Sequence, residues 1–588
     1  MLKIYKDYDF VVVGGGMSGL CAAIAAARQG AKTALIHNRP VLGGNASSEI
    51  RMHICGADYH GTRPNSRETG ILEEILLENK YRNPNHVYSI FDSVLWEKAT
   101  FQENIDLYLN THMTFVETEN SEIKSIHAAQ LTTEKSFCFT ARIFMDATGD
   151  GTLGTMAGAK FMKGREGKNE FNEKFAPDEK DHYTMGNSLM FKAADTGKPA
   201  AFIKPFWANT YTEEDLKFRE HGEITSGYWW VELGGGEQNT ISDSEIIRDE
   251  LTKAVYGVWD HIKNSPGHNA QNYELEWVGF LPGKRESRRL EGDYILTEQD
   301  CLKGRIFEDA VAYGGWPMDV HVIEGFRNNS SEPNIFLQLD NIYTVPYRSL
   351  YSVNIRNLML GGRAISCSHM AFSSTRIMAT CAVVGQAAGA AAAIAISENK
   401  KPAEVMGSIK KLQQLLQKDD CFIPGFKNED SFDLAPSSKI TASSCRTGCE
   451  PQNVVNGITR HIGEDSNCWT ANLISPGGEW LSFNFESPVT VRELRIKFDS
   501  DLSKQVCISL SKRVQDSEAS GVPPQIVKDY EIEFYRNEKS VYKKSYTNNH
   551  LRLNICRLEE TVECDSRKLR LLSTNGAEDS TVFEVRIY

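Results

Sequence analysis

Three of the fourteen histidines stand in segments rich in glycine, small residues or aromatics. His369 lies in Ser366-Cys367-Ser368-His369-Met370-Ala371. His321 closes the run Tyr313-Gly314-Gly315-Trp316-Pro317-Met318-Asp319-Val320-His321, and His53 follows the loop Gly43-Gly44-Asn45. Imidazole changes charge near neutral pH, so each is a candidate to take a proton from a hydroxyl group. His369 and His321 are the first choices as base, although each of the three reads equally as a structural histidine. Arg376 completes the candidate catalytic set, with Arg51 as a second fixed cation near the His53 loop. The run Lys284-Arg285-Glu286-Ser287-Arg288-Arg289 has two readings, a solvated strand edge or a site for anions or sugars, because Arg forks grip oxyanions bidentately. Tyr347-Arg348 and Trp229-Trp230 are candidates for lining the same pocket. No metal-ligand set is read: the thirteen cysteines contain no CxxC pair, and Cys445 and Cys449 are isolated.

These side chains need a scaffold, and the first forty residues describe its start. Tyr8-Asp9-Phe10-Val11-Val12-Val13 reads as a buried strand, Gly14-Gly15-Gly16-Met17-Ser18-Gly19 as GxGxxG, and Leu20 to Gln29 as an Ala-rich helix stopped by Gly30. A second strand, Ala31 to Ile36, follows. Strand, glycine turn and helix together specify dinucleotide binding: Gly14 for the turn, Gly16 for close approach of a pyrophosphate, Gly19 for helix–strand packing. The acidic residue expected after the second strand is replaced by His37-Asn38-Arg39. Asn38 is then the candidate for the ribose, and Arg39 for a phosphate or the adenine.

Three further segments favour FAD over NAD: Leu42-Gly43-Gly44-Asn45, the strand end Met145-Asp146-Ala147-Thr148-Gly149-Asp150-Gly151, and Asn357-Leu358-Met359-Leu360-Gly361-Gly362-Arg363, which leads into Gly385-Gln386-Ala387-Ala388-Gly389. With Arg39 to Ser47 and Glu49 to His53, these residues resemble the bacterial FAD-dependent oxidoreductase family often encoded beside carbohydrate-degradation genes. The resemblance implies a glutathione-reductase-like FAD fold. It also implies cofactor contacts at Gly14, Gly16, Met17, Ser18, Gly19, Asn38, Arg39, Gly43, Gly44, Asn45, Ser47, Arg51, Ala147, Thr148, Gly149, Asp150, Gly362, Arg363, Gln386 and Ala387. The implied activity is oxidation of a carbohydrate or glycoside hydroxyl by hydride transfer to the flavin, with an unidentified electron acceptor. Redox-neutral glycoside cleavage and a non-catalytic glycan-binding flavoprotein are the alternatives.

The expected fold class is α/β. A Rossmann-type FAD part (1–165) is interrupted by an inserted α+β substrate part (166–340) and resumes at 341–400. A helix and linker (401–436, the helix over Pro402 to Asp419) precede an all-β sandwich at 437–588. That last part resembles galactose-binding-like, discoidin-type modules through Ile440-Thr441-Ala442-Ser443, Asn453 to Gly457, Trp469, Glu479 to Phe485 and Phe583 to Tyr588. Such modules bind sugars or pack on a partner domain. As an independent sandwich it should be removable, leaving a chain ending near Asp433 that keeps FAD. The 588 residues are 41% hydrophobic and carry a net charge of −13, which disfavours nucleic acid as a partner. Met378 to Ile396 mimics a membrane helix, but its alanines, two glycines and Gln386 read as a buried core helix. The expected location is cytoplasmic as written, or periplasmic for a trimmed mature form.

Overall fold

The computed structural model describes residues 2–472 and 477–588. The chain divides into two compact units. The first comprises Met1–Tyr59, His86–Ile409 and Cys507–Ser517; the second comprises His60–Asn85, Lys410–Val506 and Glu518–Tyr588.

Unit 1 is built on a sheet whose order is β3-β2-β1-β6-β5-β4. The strands are β1 (Leu2–Val13), β2 (Thr33–Ile36), β3 (Ile105–Tyr108), β4 (Thr111–Glu119), β5 (Glu122–Gln130) and β6 (Lys135–Asp146). β1 runs further toward the N-terminus than its apolar stretch from Tyr8 predicts, because β6 pairs with it in parallel from Leu2↔Lys135 to Val13↔Asp146. Much later in the chain the strand Leu358–Leu360 adds to the same sheet, in parallel beside Phe144–Asp146.

Helix α1 (Met17–Arg28) packs on the helix Met378–Ser397. Gly385 and Gly389, four residues apart on one face, make this approach possible: a Cβ on either would overlap the carbonyl oxygen of Ser18 or Ala22. Met378–Ser397 is long and apolar enough to cross a membrane, yet 94% of its apolar window is buried inside the protein. It is a core helix. The region between the two sheet-forming segments contains small antiparallel sheets around the 21-residue helix Ser244–Asn264, which buries Ile247, Leu251 and Trp259 against Phe191 and Trp230.

Unit 2 is an antiparallel sheet in which Glu479–Phe498 and Leu553–Thr574 are the long central strands. Register shifts at Asn484/Val489 and Val491/Glu493 bend the first of them. The core gathers Trp469, Phe483, Ile496, Phe534 and Val585. An early segment belongs to this unit as well. The helix Ile71–Arg82 is buried over Ile71–Glu73 and Ile75–Lys80, with Arg67 bonded to Glu73 and the Ser500 carbonyl and Lys80 paired to Glu518. The amphipathic stretch expected at 402–419 divides into a 3₁₀ turn, Pro402–Ser408, and a helix, Ile409–Lys418.

Candidate functional site

The glycine turn after β1 is held from three sides. Gly14 has φ +114°, and a Cβ there would overlap the Ala147 carbonyl oxygen at the end of β6. Gly19 lies so close to Gly14 that it too admits no side chain. The second glycine loop crosses over the first: the Gly43 amide donates to the Gly15 carbonyl at 2.8 Å, and Gly16 bridges Gly43 in parallel. Gly16 itself is extended (φ −69°, ψ 177°), and a Cβ on it would meet only Gly44 Cα, at 3.9 Å. The space above Gly16 is thus kept clear, at the amino end of a helix that has no side-chain cap and no acidic residue in its first turn.

Ser18 Oγ, in that first turn, is buried with no hydrogen-bond partner. The chain returning from Leu360 passes over it, with Gly362 at φ +60° beside Ser18 Cβ. An open cradle, helix N–H groups and an orphaned buried hydroxyl fit the pyrophosphate of FAD. Sequence reasoning missed one brace of this cradle. His37 is buried and its Nδ1 accepts the Gly15 N–H at 3.0 Å. Burial, reinforced by Arg39, lowers its pKa to about 3, so the ring is neutral and able to accept.

The other residues expected at the cofactor stand in varied surroundings. Met17 is buried; Asn38 is exposed, and Arg39 pairs with Glu49 at 3.3 Å. Ser47 Oγ donates to the Gly44 carbonyl at 2.7 Å, and Asn45 Nδ2 to the Lys284 carbonyl at 3.0 Å. Arg51 adopts φ +64° and rests 4.1 Å from the Trp277 ring centre. Asp146 shapes the Ala147-Thr148-Gly149 turn by accepting from Thr148 N, Thr148 Oγ1 and Gly154 N at 2.7–3.0 Å. Asp150 bonds Lys284 Nζ at 2.7 Å and Ser287 Oγ at 2.9 Å, with Arg363 at 3.7 Å. Although burial works the other way, Lys284 and Arg363 hold this carboxyl below its usual range. Gln386 and Ala387 are buried within the core helix.

Next to the cradle a cleft is lined by Asn45, His53, Trp229, Lys284, Arg285, Arg363 and Arg376, among others. Four cations therefore face one space. The carboxylates that balance them stand behind the wall. Arg376 donates to Asp319 Oδ2 at 2.6 Å, and His321 lies between Asp319 (Nε2 to Oδ2, 3.0 Å) and Glu232 (Nδ1 to Oε2, 2.6 Å). Arg285 donates to Ser188 Oγ and to the Trp229 carbonyl, each at 2.8 Å, and approaches Glu232 at 3.4 Å. Burial alone would raise the Glu232 carboxyl; Arg285, then His321, outweigh it and bring it down to about 2. Asp319 is held still lower, with His321 and Arg376 overcoming burial.

The three candidate histidines thus occupy different positions. His53 lines the cleft, with Nδ1 3.4 Å from Ser509 Oγ. His321 backs the wall, with Trp229 edge-on at 5.4 Å and both ring nitrogens engaged. His369 is buried with Nδ1 3.0 Å from Glu286, in a network that continues through Arg289 to Glu166. The basic run also splits by position. Lys284 and Arg285 face the cleft, while Glu286 and Arg289 are fully buried ion-pair partners. Of the aromatic candidates, Trp229 lines the cleft; Trp230 is core, Tyr347 bonds the Pro402 carbonyl, and Arg348 pairs with Asp309. Glu232 and Asp319 were not singled out from the sequence. Asp319 could have been, since residues two apart on a strand share a face; nothing local marks Glu232, 89 residues from His321.

The family described as FAD dependent oxidoreductase matches residues 9–416. Dihydrolipoyl dehydrogenase of Trypanosoma brucei brucei is 39% identical over 75 residues, 12% of this chain and 15% of that protein. The chain thus spans about one-seventh of the length of this curated relative. Among solved structures, a Streptococcus pneumoniae fucose binding module is 15% identical, with a TM-score of 0.21, over 27% of this chain and 97% of its own. The family 32 module of C. perfringens NanJ, in complex with galactose, is 13% identical, with a TM-score of 0.20, over 26% and 96%.

Proposed function

The chain belongs to the FAD dependent oxidoreductase family, and from that premise we propose that it oxidises a hydroxyl of a carbohydrate or glycoside. Bound FAD supplies the two-electron acceptor. The observation that carries the substrate class is the wall of Lys284, Arg285, Arg363 and Arg376 beside Trp229. Guanidinium forks bind hydroxyl and carboxylate oxygens in fixed geometry, and an indole face covers the apolar side of a sugar ring. Asp319 and Glu232 fix Arg376 and Arg285 from behind, so both guanidiniums are oriented before substrate arrives.

His53 is the histidine in the cleft wall, and we assign it the hydroxyl proton; His321 and His369 orient and support. Residues 166–340 form the inserted substrate part in this reading, and unit 2 is a galactose-binding-like module. Anaerobic mixing with candidate sugars should bleach the flavin absorbance. His53→Ala should keep FAD yet slow that bleaching by about 10²–10⁴-fold. Bleaching at the wild-type rate in His53→Ala would move the base to His321 or His369. Absence of bleaching with every sugar would leave a binding protein. A free reducing sugar formed without acceptor would replace net oxidation by redox-neutral cleavage.

A further inference from the structure

Away from the cleft, four side chains from separate stretches of unit 1 turn their ligand atoms toward one point. Glu213 opens the short helical turn Glu213–Leu216, and His221 follows in the loop. His261 lies in the last turn of the helix Ser244–Asn264, and His268 in the loop beyond it. Their donor atoms all fall within 4.8 Å of one another. Glu213 Oε1 is 3.1 Å from His261 Nε2 and 3.2 Å from His268 Nε2. The two Nε2 atoms are 3.2 Å apart, and His221 Nε2 is 3.5 Å from Glu213 Oε2. Ligands at about 2.0–2.1 Å from a tetrahedral zinc ion are separated by roughly 3.3–3.4 Å. The observed separations bracket that value.

The second-layer hydrogen bonds decide which atoms carry lone pairs. His261 Nδ1 faces the Tyr211 carbonyl at 3.1 Å, and His221 Nδ1 faces the Arg219 carbonyl at 2.5 Å. A carbonyl can only accept, so both Nδ1 atoms carry a proton, and a ring with its single proton there turns the Nε2 lone pair to the cluster. The Nε2 atoms face the Glu213 carboxylate and one another at 3.1–3.5 Å, distances that a shared proton or a bound metal ion bridges. Backbone carbonyls on the far nitrogen are also how metal-bound histidines are held in orientation. Glu213 is the exposed member, its side chain 65% accessible, while the side chains of His261, His268 and His221 are 3–12% accessible. An ion could thus enter from the carboxylate side.

We propose that Glu213, His221, His261 and His268 form a binding site for a divalent transition-metal ion, zinc foremost. Three imidazoles and one carboxylate suit zinc; copper, nickel and cobalt would also bind, whereas calcium and magnesium require oxygen ligands. The ion would clamp the 211–221 stretch and the 265–272 loop to the end of the long helix.

The test uses untagged full-length protein with its FAD, stripped of metal and then titrated with zinc sulfate. Zinc should bind one equivalent and raise the melting temperature, and cobalt should give the visible bands of a tetrahedral nitrogen–oxygen site at wavelengths beyond the flavin. Glu213→Gln, which alters an exposed residue, should keep FAD content and weaken zinc binding by at least about tenfold, the lower end for perturbed metal shells. His221→Ala/His268→Ala should abolish binding. A wild-type protein that takes up no zinc and shows no cobalt bands overturns the site. So does a double variant that folds and binds zinc like the wild type. If the double variant does not fold, Glu213→Gln decides: unchanged zinc affinity there overturns the site.

Discussion

Replacing Glu232 by Gln tests whether the cleft wall is held by charge or only by shape. The substitution preserves size and removes the anion that faces both Arg285 and His321. The folded carboxyl lies at about 2 against an ordinary 4.5, a difference of roughly 2.5 units worth about 3 kcal/mol at about 1.4 kcal/mol per unit. Removing one partner of a buried ion pair typically costs about 3–5 kcal/mol, in agreement. Because the folded pKa is depressed, this stability is present in full above about pH 4.5 and disappears as pH falls toward 2. Glu232→Gln should therefore lower the urea midpoint at about pH 7.5, by roughly 1 M at an m-value near 3 kcal/mol per M. The gap to wild type should shrink as pH drops below 4.5. FAD should remain, since Glu232 does not line the cradle. Glu232→Gln/Arg285→Gln should recover part of the loss, because the stranded cation goes with its partner. A single variant that unfolds at the wild-type midpoint, or a double variant whose loss is the simple sum, would refute the charge argument.

Gly16→Val should fold normally, because its Cβ meets only Gly44 Cα at 3.9 Å, yet release no FAD on denaturation; full loading would disprove the cradle. A chain ending near Asp433 should aggregate instead of remaining soluble, because Glu73, Lys80 and Glu78 of the helix Ile71–Arg82 would lose Ser500, Glu518 and His550; a soluble, monodisperse product in light scattering would show that these partners are dispensable. In unit 2 the Glu584 carboxyl, which burial would raise, is held at about 2 by Lys497 and Arg586. Its contribution of about 3 kcal/mol is present above about pH 4.5 and lost as pH approaches 2. Glu584→Gln should thus lower the neutral-pH melting temperature and flatten its acid dependence, and an unchanged acid limb would count against the assignment.

Features dictated by backbone geometry were legible in the sequence, and features built by convergence of distant side chains were not. GxGxxG could be read because only glycine tolerates φ +114° at Gly14 and the close approach at Gly19, so the residue type itself records the structure. The same holds for Gly385 and Gly389, although what they admit is the backbone of α1. Glu232, by contrast, has no local peculiarity; its role exists only because folding brings it to His321 and Arg285. His369 illustrates the same limit from the other side. It follows the Gly361-Gly362-Arg363 turn closely and so lies near the cradle in sequence, yet its Nδ1 turns to buried Glu286. Proximity along the chain constrains where a Cα can be, not where an imidazole points. The segment His60–Asn85 is the clearest case at the level of domains. Its apolar residues look like any helix of the α/β part, and buried contacts such as Arg67 with the Ser500 carbonyl and Lys80 with Glu518 tie it to the later sheet. A boundary drawn from changes in texture at residue 437 cannot detect a helix contributed from far earlier in the chain, because the information lies in the pairing and not in either partner alone.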